Sequence, residues 1–87
     1  MKYRKGQNYI KISNLSHLES ALISPSPRSW LGLITISLRE LRKLRTKYPD
    51  GRGFPLYIAP YRKGVKLFPT PNGSGEIRIY YSSFHEL

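Results

Sequence analysis

The sequence predicts an α+β fold, with two helices packed on a C-terminal three-stranded antiparallel meander and a short N-terminal strand. Three observations predict it. Apolar residues recur at helical spacing through the middle of the chain, and three alternating segments follow them. Clusters rich in Pro, Gly and Ser at 24–27, 49–53 and 69–75 divide the chain into an N-terminal, a central and a C-terminal segment. Eighty-seven residues without an internal repeat make a single domain, residues 1–87.

In the N-terminal segment, Tyr9-Ile10-Lys11-Ile12 alternates and reads as a strand. Ser16-His17-Leu18-Glu19 has the spacing of a capping box, and Leu15, Leu18 and Leu22 follow helical spacing, so a helix is expected near 16–23. The central segment supports two readings. At 100° per residue, eight positions from Trp30 to Tyr48 (Trp30, Leu31, Leu33, Ile34, Leu38, Leu41, Leu44, Tyr48) fall on an arc about 160° wide. Ser26 and Pro27 suit an N-cap and first helical position, giving one helix from about 27 to 48. The alternative is a βαβαβββ order. It makes Trp30–Ile36 a central strand and starts a new helix at Ser37, where Glu40 completes a capping box and Ile36 staples onto Leu41. The long helix is preferred because eight positions obey one period. Both readings turn Arg39, Lys43 and Lys47 away from the core and place Arg45 at its margin.

The C-terminal segment supplies the meander: Leu56–Ala59, Val65–Phe68 and Glu76–Tyr81. The turn Tyr61-Arg62-Lys63-Gly64 sets Ile58 opposite Leu67 and Tyr57 opposite Phe68. One face then collects Leu56, Ile58, Val65, Leu67, Ile77, Ile79 and Tyr81 as a floor for the helices. Pro55 and Pro60 bracket the first strand, which suits an edge.

Composition bounds the function. Fifteen Lys and Arg against five Asp and Glu give a formal charge of +10, which opposes compact folding and points to a polyanionic partner. There is no cysteine, so neither a disulfide nor thiolate-bound zinc supports the core. The polar start of the chain is unlike a secretory signal, and its longest nearly apolar run, Trp30–Ile36, is far short of a membrane span; a cytoplasmic protein is expected.

On this reading the second face of the meander presents Tyr57, Lys66, Phe68, Arg78 and Tyr80. A symmetric loop 69–75 sets Lys66 directly across from Arg78, a like-charge pair that a phosphate would relieve. Exposed rings interleaved with bases suit single-stranded nucleic acid, with Tyr57, Phe68 and Tyr80 stacking bases and the cations following phosphates. Arg39, Lys43 and Lys47 offer a second phosphate-binding line. Lys2, Arg4, Lys5, Arg62 and Lys63 add charge at the end and in the turn.

No catalytic or cofactor signature accompanies these bases. His17 and His85 stand apart without metal-ligand spacing, and the Gly-Ser-Gly and Gly-Arg-Gly turns match no phosphate-loop or dinucleotide fingerprint. The expected function is therefore a non-catalytic nucleic-acid-binding module, for RNA or DNA, with no metal and no cofactor. A small basic adaptor or inhibitor that docks an acidic protein surface is the alternative. With the central segment as one helix, the order strand, helix, helix, three strands is also similar to the small basic ribonuclease toxins of the RelE/ParE superfamily. That resemblance implies metal-independent RNA cleavage, with Arg78, Tyr80, Tyr81 and His85 as acid, base and charge stabiliser.

Overall fold

In a computed structural model, which describes residues 1–13, 15–26 and 29–83, the chain is built mainly of strands. These are β1 (Lys2–Tyr3), β2 (Tyr9–Lys11), β3 (Leu15–Ser26), β4 (Ser29–Gly32) and β5 (Ile34–Thr35), then the helix α1 (Leu38–Lys47). After it come β6 (Arg52–Gly53), β7 (Tyr57–Tyr61), β8 (Gly64–Phe68), β9 (Thr70–Pro71) and β10 (Gly75–Ser83). One four-stranded sheet has the order β1-β10-β3-β4, and a second has the order β2-β8-β7-β5; β6 and β9 form a small parallel pair.

The two sheets face each other across the main core. Tyr3, Leu18, Ala21, Ile23 and Ile77 from the first sheet meet Ile10, Ile58, Val65 and Leu67 from the second. The chain passes between the sheets along both edges. On one side Leu33 N–H donates to Ala21 O (2.9 Å), and Ile34 N–H then donates to Leu56 O (2.9 Å). On the other, Ile77 N–H donates to Met1 O (2.8 Å), while Leu67 N–H donates to Asn8 O (2.8 Å).

α1 lies on the outer face of the second sheet, as the crossover between parallel strands β5 and β7. Ser37 caps it: its Oγ accepts from Glu40 N–H (3.2 Å) and donates to the Glu40 carboxylate (3.3 Å). Ile36 and Leu41 pack in one cluster with Ala59 and Phe68, the staple that fixes how the chain enters the helix. No helix among the described residues is long and apolar enough to cross a membrane.

This architecture corrects the predicted fold of two helices on a three-stranded meander, and the βαβαβββ alternative as well. The expected helix at 16–23 is the middle of strand β3. Register shifts against β10 set an extra β3 residue between Leu15 and His17, and another between Leu18 and Ser20. Each shift resets the alternation, so Leu15, Leu18 and Ala21 all reach the core three residues apart. Bulges in a strand thus reproduce the spacing of a helix. The expected helix from 27 to 48 is the strands β4 and β5 followed by α1; Pro27 and Arg28 lie outside the described residues. Its N-terminal half is extended because Gly32 disfavours a helix and the β-branched run Ile34-Thr35-Ile36 favours a strand, and local preference outweighs the longer period.

The meander is only a hairpin. β7 and β8 pair in the expected register, Ile58 with Leu67 and Tyr57 with Phe68. β10, however, leaves them and enters the other sheet between β1 and β3. β7 is interior rather than an edge. Pro60 is tolerated there because β5 runs only beside Tyr57 and Ile58, and the missing N–H points past its end. Among the described residues the strand–helix–helix–strand order behind the likeness to RelE/ParE toxins is absent, and His85 lies outside them.

Candidate nucleic-acid interface

α1 carries five bases, Arg39, Arg42, Lys43, Arg45 and Lys47, and a single acid, Glu40. Glu40 is engaged by the cap. Arg45 turns inward, donating to Leu67 O (3.1 Å) with its guanidinium carbon 5.9 Å from the centre of the Phe68 ring. Arg39, Lys43 and Lys47 are exposed at i, i+4 and i+8 on the outward side, as the apolar spacing of Leu38, Leu41 and Leu44 requires.

Beside the helix, the same outer face of the second sheet holds a cluster of bases and rings. Tyr9 pairs with Lys66 across β2 and β8, and Ala59 pairs with Lys66 across β7 and β8. The Lys66 ammonium lies 4.1 Å from the centre of the Tyr61 ring, and the Arg62 guanidinium 5.3 Å from it. Tyr9 meets that ring edge-on at 5.9 Å. Each cation held against a ring has lost side-chain freedom before any ligand arrives.

Arg62 reaches its place at a cost. It sits in the tight turn between β7 and β8 with φ of 50°, a left-handed backbone that penalises any side chain with a Cβ. Arg62→Gly is therefore expected to stabilise the fold by a few tenths to about 1 kcal/mol while weakening anion binding. Chemical denaturation and a binding titration on the same variant read the two effects.

The predicted site residues divide among three places. Arg39, Lys43, Lys47 and Lys66 share one side of the molecule. Tyr57 and Phe68 also point to that side, but lie under α1: Phe68 is 6% exposed and packs with Leu41 and Ala59, and Tyr57 is half-buried against them. They are not open stacking platforms. Arg78 and Tyr80 belong to the opposite side, the outer face of the first sheet. There the Arg78 guanidinium lies 4.3 Å from the centre of the Trp30 ring, and Tyr80 is 48% exposed. Lys66 and Arg78 are not neighbours, because β10 pairs with β3 and β1.

Sequence reasoning missed Tyr9, Tyr61 and Trp30. Tyr9 and Lys11 alternate about Ile10, and Tyr61 opens the Arg-Lys turn, so both were readable as outward rings beside bases. Trp30 was hidden by its assignment to a helix. Among the described residues no group of three His, Asp or Glu gathers to hold a metal. Comparison with protein families, curated proteins and solved structures finds no match for the chain.

Proposed function

We propose that this chain is a non-catalytic nucleic-acid-binding module of the cell interior, gripping phosphates with one basic side of the molecule. Arg39, Lys43 and Lys47 form one line of contacts along α1. Lys66 and Arg62, ordered by Tyr61, form a second on the neighbouring strands, with Lys11 exposed beside them. The single observation that carries the reading is this convergence of outward bases on one side, where the helix's one acid is occupied by its cap. A net charge of +10 supplies long-range attraction to the same partner.

Such a grip is electrostatic. Each phosphate contact releases condensed counterions, so log K should fall against log salt by about 0.7 per contact for single strands and about 0.9 for duplex DNA. Anisotropy of labelled single-stranded RNA, single-stranded DNA and duplex DNA, titrated at several salt concentrations, tests this. Five contacts predict a slope of about −3.5 to −4.5. Absence of binding to every strand at low salt would overturn the reading.

A second reading has its own observation. Leu31 and Ile34 are more than half exposed on the free edge formed by β4 and β5, a segment without charge. An adaptor would bury such exposed apolar side chains against a protein whose acidic groups meet this chain's bases. That reading takes precedence if no nucleic acid binds.

A further inference from the structure

Where α1 ends, a groove of about 410 Å³ opens between the helix and the second sheet. Leu44 and Tyr48 form one wall, Leu56, Tyr57 and Phe68 the other, and among the described residues Arg52 of β6 is its one charged lining residue. The volume lies within the range of small-ligand sites, roughly 300–1,000 Å³. Gly51 lines the groove where a Cβ would crowd it, coming 3.1 Å from both the Phe68 ring and Tyr48 O. Tyr48 is 51% exposed and Leu56 51% exposed, so both sides of the mouth project into solvent.

The chemistry of this groove matches one occupant better than others. Three aromatic rings line an apolar slot, and cations stand at its rim: Arg52, and Lys47, whose ammonium is 5.6 Å from the centre of the Tyr48 ring. The adjoining turn contributes one acid, Asp50. A fitting ligand has a flat aromatic body and an anionic tail. The groove is also continuous with the basic face of α1, because Lys47 ends that face and Tyr48 begins the groove.

We propose that the groove takes one unpaired base of a single-stranded nucleic acid, stacked on the exposed Tyr48 ring above a floor that Tyr57 and Phe68 line, while Lys47 and Arg52 hold its phosphates. The inference rests on the phosphate-gripping function proposed above and deepens it. Bases inside a duplex are stacked and paired, so they cannot enter without being extruded, and the groove selects for single strands.

The test compares a labelled oligothymidylate with an abasic strand of the same length, which keeps every phosphate and offers no base. The protein should bind the intact strand about 5- to 150-fold more tightly, the range expected for one stacked base. Tyr48→Ala, at an exposed position, should bring the two strands to within about twofold of each other. Equal wild-type affinity for the two strands overturns the groove while leaving the phosphate grip intact. A preference that persists in folded Tyr48→Ala also overturns it, since the base would then stack elsewhere. Failure of both strands to bind overturns the groove together with the function it rests on.

Discussion

Reversing the outward charges of α1 in the triple variant Arg39→Glu/Lys43→Glu/Lys47→Glu is expected to reduce nucleic-acid affinity by about 10²-fold or more at 0.1 M salt. Three lost contacts with single strands lower the salt slope by about 2, and a slope of that size raised to 0.1 M gives the hundredfold loss. Each reversal removes two units of charge, so three take the formal value from +10 to +4. Repulsion from the new carboxylates adds to the loss. The fold should survive, because all three side chains are exposed and the apolar side of the helix is untouched. Glu at 39 favours the positive helix N-terminus and Glu at 47 opposes the negative C-terminus, each by about 0.3–1 kcal/mol, so the two nearly cancel. Unchanged affinity and slope in a variant with normal circular dichroism would remove α1 from the interface.

This line of bases was legible in the sequence because one local rule decides it. Between Leu38 and Lys47 the apolar spacing settles which side of a helix is buried, and Arg39, Lys43 and Lys47 follow as the other side. The β7–β8 hairpin was legible for a similar reason: its short turn sets the pairing of Ile58 with Leu67. Tyr48 fits the helical period yet is half exposed, since it is the C-cap, where the backbone leaves the helix, and its ring lines the groove.

What the sequence concealed was set by partners distant along the chain. Alternation in Glu76–Tyr81 says that Ile77 and Ile79 share a buried face, but not which strand lies alongside. In the folded chain that neighbour is β3, more than fifty positions upstream, as the pairing of Ile77 with Ile23 records. The expected face of Tyr57, Lys66, Phe68, Arg78 and Tyr80 depended on β10 lying beside β8, and it separates onto opposite sides of the molecule without that pairing. β3 was concealed for a different reason. Its two register shifts break the period of two on which strand recognition depends and bring Leu15 and Leu18 to the core three residues apart. Leu22, the third residue of the expected helical period, pairs with Arg78 on the other face.

The largest loss of stability from a single substitution is expected at Gly64, where β8 begins. Gly64 is buried, opposite Lys11 on β2 and Tyr61 on β7. A Cβ at this position would run into the backbone carbonyl of Ile10, with the Tyr9 hydroxyl only 2.9 Å away. The carbonyl cannot yield without separating β2 from β8, and that pairing carries Ile10 into the main core. Gly64→Val is therefore expected to cost about 3 kcal/mol or more, comparable to a large core truncation. For a domain of this size that corresponds to a fall in Tm of roughly 12–24 °C, a large share of its total stability. Gly73→Ala is the control, since a Cβ there meets nothing within 4 Å; its Tm should stay within about 2 °C of wild type. A Gly64→Val protein that melts with the wild type would show that β2 does not approach β8 so closely. The same close approach positions Tyr9, and with it the Tyr61 and Lys66 cluster. Gly64→Ala, where it leaves enough folded protein to titrate, should thus weaken binding further than loss of folded protein explains, whereas Gly73→Ala should leave binding unchanged.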